Sequence, residues 1–75
     1  MGAKIVVRNS KNEAVVKADV HVSWTGGFSR GSTDSQGVFD TQTSGTLRSV
    51  SVWGEEVWSI ETTLKDNGQL RVTYK

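Results

Sequence analysis

GSTDSQGVFD, residues Gly31 to Asp40, contains neither cysteine nor histidine, yet it is the stretch from which the fold can be read. An aspartate side chain accepts hydrogen bonds from backbone N–H groups about two residues ahead, which closes an Asx-type turn. Asp34 is placed to do this, and Gly37 can take the positive φ that completes the reversal. Phe39 then carries the chain back into an apolar core. Thr33, Asp34, Gly37 and Phe39 therefore read as a structural connector between two strands. A calcium loop is the competing use of the same residues. Calcium takes about six to eight oxygens, and Asp34, Ser35 and Gln36 supply too few unless Asp40 or another loop joins them.

Working outward, the segments on either side alternate with a period of two. In ADVHVSWT, residues 18–25, Ala18, Val20, Val22 and Trp24 fall on one face and Asp19, His21, Ser23 and Thr25 on the other. AKIVVRN (3–9) predicts a first strand closed by the polar turn NSKNE, and VFDTQT (38–43) predicts another. Between Trp24 and the connector, the glycine-rich GGFSRGS reads as a mobile loop. After a Ser44-Gly45 turn, TLRSVSVW sets Val50 and Val52 on one side and Ser49, Ser51 and Trp53 on the other. Leu47 is out of step with Val50, and a bulge at Arg48-Ser49 would turn both inward. VWSIETTL and QLRVTY flank KDNG, where Asn67-Gly68 can supply positive φ, so this stretch reads as a hairpin. Its first arm would place Trp58, Ile60, Thr62 and Leu64 on one face. Helix-period patterns are missing. About seven short strands, each with one apolar face, predict an all-β antiparallel sandwich of two sheets.

Composition narrows the class further. Seventy-five residues make a single domain, spanning 1–75, of a size that buries only about 60% of its unfolded surface. Without cysteine, neither disulfides nor thiolate metal sites can support so small a core. Nine basic and eight acidic residues nearly cancel and are scattered, so no electrostatic footprint for nucleic acid or an anionic membrane is expected. No run approaches the roughly 18 apolar residues of a membrane span. The chain opens and closes on strand-like runs, as expected of a module excised from a longer polypeptide.

NEAVVKADVHV, followed by TDSQGVF and SGTLRSVSV, resembles the carboxypeptidase regulatory-like, or transthyretin-like, family of seven-stranded, immunoglobulin-like sandwiches. Ala18 and Val20 match its Ala-x-Val element. Thr33, Asp34, Gly37 and Phe39 match its Thr-Asp-x-x-Gly-x-Phe motif, and Gly45 and Leu47 its Gly-x-Tyr, with leucine in the aromatic place. Ala14 stands where proline is usual, Lys17 where glycine is usual, and Glu55 where an aromatic is frequent. The resemblance implies a non-catalytic module acting as spacer, stabiliser or docking domain in an exported or cell-surface protein. Its partners would be neighbouring domains or another protein, and the exposed edge strands of such a sandwich allow a homodimer.

Catalytic alternatives find little support among the residues. The transthyretin-related hydroxyisourate hydrolases use more than one histidine and a Tyr-Arg-Gly-Ser terminus, whereas this chain has the single His21 and ends VTYK. His21 falls on a polar strand face with no cysteine or second histidine to join it at a metal, so no cofactor is expected. No nucleophile-elbow motif accompanies the serines. Related adhesin sandwiches carry a lysine-to-asparagine isopeptide bond. Lys4 is suitably early in the chain, but QLRVTYK offers no asparagine and Asn67 lies in a turn. Three tryptophans raise a different possibility, because indoles stack on sugar rings as well as pack in cores. Trp24 and Trp58 lie on apolar phases and read as core. Trp53 does not, and with Phe28 and Glu55 it forms the candidate contact site of a carbohydrate- or small-ligand-binding module.

Overall fold

The computed structural model describes residues 2–74. It is all-β, with eight strands and, among the described residues, no helix: β1 (Lys4–Arg8), β2 (Asp19–Trp24), β3 (Gly27–Ser32), β4 (Val38–Asp40), β5 (Gly45–Val52), β6 (Glu55–Trp58), β7 (Thr62–Leu64) and β8 (Gln69–Thr73). One sheet has the order β4-β1-β8, the other β3-β2-β5-β6, with β7 continuing the free edge of β5 beyond β6. The smallest dimension is 17 Å, as two layers about 10 Å apart with their outer side chains require.

Each sheet contributes its apolar phase to one core. Ala3, Ile5, Val7, Phe39, Leu70 and Val72 come from the first sheet and its approaches. Val20, Val22, Trp24, Leu47, Val50, Val52 and Leu64 come from the second, and Ala18 precedes β2. Ser23 pairs with Ser49 and Trp24 with Leu47, so Arg48 is the extra residue of a bulge. Leu47 and Val50 both face inward because of it, as the odd spacing required.

The Thr33–Phe39 connector closes as its composition dictates. Asp34 Oδ1 accepts from the Gln36 N–H at 2.8 Å and the Val38 N–H at 3.0 Å, while Gly37 adopts φ 76°. The Thr33 hydroxyl accepts from the Ala18 N–H at 2.9 Å and donates to the Val15 carbonyl at 2.7 Å. It thereby ties the connector to the segment entering β2. Phe39 emerges into the core, where its ring lies against Gly31 of the opposite sheet.

Four features depart from the pattern read above. The glycine-rich stretch is a strand, β3, paired along its full length with β2 through the two-residue turn Thr25-Gly26. Its glycine serves close approach, since a Cβ on Gly31 would come within 2.5 Å of the Phe39 ring. The strands are not all antiparallel, because β1 and β8 run parallel from Lys4↔Gln69 to Arg8↔Thr73. The final segment is not a hairpin: β7 pairs with β5 and β8 with β1, so KDNG passes the chain from one sheet to the other. Gly68 N–H donates to Lys65 C=O at 2.8 Å, and Asn67 takes φ 67°. An arch between sheets and a hairpin within one share the same apolar alternation and turn chemistry, which is why the pattern alone favoured the wrong one. The break at Ser59–Glu61 also leaves Ile60 64% exposed instead of on an apolar face.

Candidate ligand-binding site

Trp53 and Gly54 form the two-residue turn between β5 and β6, with Val52 opposite Glu55. Their φ angles, 51° and 81°, are those of a type I′ turn. That geometry favours Asn or Gly at its first position, and a bulky residue there costs on the order of 1 kcal/mol or more. The Trp53 N–H donates to the Asp19 carbonyl at 2.7 Å, anchoring the turn to the adjoining strand. The side chain stays 52% exposed. Its ring meets Tyr74 edge to face, with centroids 5.2 Å apart and planes at 73°.

Tyr74 follows β8, and its N–H donates to the Arg8 carbonyl at 2.7 Å. The parallel β1–β8 pair thus brings the end of the chain beside the loop that leaves β1. That loop is internally fixed. Asn9 Oδ1 accepts from the N–H groups of Lys11 and Glu13, both at 2.9 Å, and Asn9 Nδ2 donates to Glu13 Oε1 at 3.0 Å. Asn12 completes the reversal at φ 64°. Together, Ser10, Lys11, Glu13, Val15, Trp53 and Tyr74 line an open cleft of about 410 Å³.

Phe28 and Glu55 do not join Trp53 there. Phe28 lies on β3, 69% exposed, with its ring 5.2 Å from His21 at 74°. It borders a separate depression of about 510 Å³ with Asp19, His21, Arg30, Ser51 and Gly54, where Arg30 Nη2 stands 3.5 Å from Asp19 Oδ2. Glu55 is exposed across the turn from Val52 and lines neither hollow. Tyr74, Asn9 and Glu13 were not singled out from the sequence, because their proximity to Trp53 depends on the unforeseen parallel pairing. The Trp-Gly turn and the Asn-rich loop were the available signals.

The other tryptophans divide between core and seam. Trp24 is buried and its Nε1–H donates to Ser29 Oγ at 3.0 Å. Trp58 packs against the core, half-buried, with its Nε1–H on the Ile60 carbonyl at 2.8 Å. Lys4 is half-buried on the outward phase of β1, between Asp40 and Gln69, away from the inter-sheet space. At the connector, hydrogen bonds from the Val38 and then the Gln36 N–H hold the Asp34 carboxyl below the ordinary aspartate value. Both of these N–H groups bond the same oxygen, Asp34 Oδ1. Among the described residues, no three His, Asp or Glu side chains converge as a metal-binding group.

Comparison with protein-family models, curated proteins and solved structures finds no match to this chain.

The chemistry available at the site is therefore defined by its own groups. The cleft offers a half-exposed indole, a near-perpendicular aromatic wall, a carboxylate oriented by an amide and a lysine on a fixed loop. These can stack, accept and donate hydrogen bonds.

Proposed function

We propose that this chain is a non-catalytic β-sandwich module of the carboxypeptidase regulatory-like, or transthyretin-like, kind. It works as a spacer, stabiliser or docking domain within a larger exported or cell-surface protein. The observation that carries the proposal is the Thr33–Phe39 connector. Its threonine hydroxyl, aspartate, positive-φ glycine and core phenylalanine each have a distinct mechanical task in joining the two sheets. The residues that carry the sequence resemblance are thus also the residues that hold the layers together.

A module of this kind transmits position through a closed core and makes contacts through loops and edges. β3 and β4 each pair on one side only, so their outer backbone groups are open to a neighbouring domain or a second copy. Nucleic acid and membrane insertion form no part of this function.

Calorimetry of the isolated chain tests the proposal. An autonomous module unfolds in one reversible transition with equal calorimetric and van't Hoff enthalpies. A chain that is unfolded in isolation, or that gains its structure only with an added partner, contradicts it.

A further inference from the structure

We infer that the cleft between Trp53, Tyr74 and the Asn9–Glu13 loop is a binding site for a neutral polysaccharide, with the Trp53 indole as its stacking platform. This goes beyond the module function proposed above and does not depend on it.

The first support is the conformation of Trp53. A two-residue I′ turn ending in glycine is most readily made with asparagine before the glycine. Here tryptophan occupies that position at φ 51°. Trp53 nonetheless keeps 52% of its surface exposed, open to a ligand. Strained backbone that displays an aromatic ring is a reason to look for a ligand at the ring.

The second support is what surrounds the indole. Tyr74 stands against it at 73°, so a flat ligand on one aromatic surface would meet the other as a side wall. Glu13 accepts the Asn9 amide through Oε1; its other oxygen has no protein donor among the described residues. A carboxylate held by an amide beside an aromatic face is suited to the hydroxyls around a pyranose ring, while the indole covers the ring's C–H face. Lys11 and Glu13 place one charge of each sign on the same loop. This favours a neutral ligand over an anionic one. The cleft, of about 410 Å³, is open and not enclosed. Its open form suits a chain passing across it better than an enclosed small molecule.

The test is native affinity electrophoresis of the chain in gels containing hydroxyethyl cellulose, xylan, mannan or soluble starch, beside Trp53→Asn and Phe28→Ala. Trp53→Asn installs the preferred Asn-Gly turn and removes the platform. The wild-type chain should be retarded by at least one polysaccharide, and Phe28→Ala should behave alike. Trp53→Asn should melt at or above the wild-type temperature and lose retardation by about tenfold or more in affinity, as expected for one lost stacking contact. Glu13→Gln, which keeps the Asn9 contact, should weaken binding without abolishing it. The inference is overturned if no gel retards the wild-type chain, or if Trp53→Asn is retarded as strongly as wild type. A marked drop in melting temperature for Trp53→Asn would also overturn it, by showing that the indole is retained for packing.

Discussion

Thr33 is only 3% exposed, and its single hydroxyl serves two main-chain groups, the Ala18 N–H and the Val15 carbonyl. Thr33→Val keeps the shape and leaves both groups without that partner. The expected loss is about 1–3 kcal/mol in chemical denaturation; an unchanged midpoint would show that the connector is held elsewhere. Asp34 adds a pH dependence. Its folded pKa lies below its ordinary value near 3.8, chiefly through the Val38 N–H. Its contribution is therefore present above that ordinary value and declines as pH falls through the folded one. Asp34→Asn retains a neutral acceptor and should flatten this part of the acid-unfolding profile. Asp34 was legible from the sequence, because its bonds lie within four positions and follow from the turn type; Thr33 was marked only by the resemblance, since its partners Ala18 and Val15 lie far back along the chain. Tyr74 was not legible as a partner of Trp53, since its position depends on a strand 65 residues away in register, Arg8↔Thr73.

At the scale of elements, alternation correctly distinguished the buried phases of β2 and β5, and even the Arg48 bulge followed from a spacing that would not otherwise fit. What alternation cannot specify is the strand each phase pairs with. β7 and β8 have the residues of a hairpin, yet they belong to different sheets because Leu64 and Leu70 face the same core from opposite sides. Glycine was similarly ambiguous. In β3 it marks contact with Phe39, whereas at Gly37 it supplies φ 76°. Gly37→Ala should cost at least about 1–2 kcal/mol through backbone strain alone, and its Cβ would stand 2.8 Å from the Val7 carbonyl oxygen. The break between β6 and β7 makes the opposite kind of prediction. Ile60→Ser, at a 64% exposed position, should change stability by no more than about 0.5 kcal/mol. A loss of several times that amount would restore the continuous, core-facing strand.

In the whole molecule, the three tryptophans mark three environments: Trp24 inside, Trp58 at the seam and Trp53 on the surface. This division underlies the functional account. Trp24 belongs to the core shared by both sheets, whereas the Trp53 indole is left outside it, where the proposed recognition would take place. The polar outer phases of β2 and β5, with Ser23, Ser49 and Ser51, leave the exposed aromatics as the conspicuous contact points. Phe28 and Trp53 occupy separate hollows, so a change at one should leave contacts at the other intact. The most direct measurement is acrylamide quenching of tryptophan fluorescence in the wild-type chain and in Trp53→Phe. Wild type should show one readily quenched component above a protected background, and Trp53→Phe should retain only the protected part. Equal quenching of the two proteins would place Trp53 within the core and contradict the account.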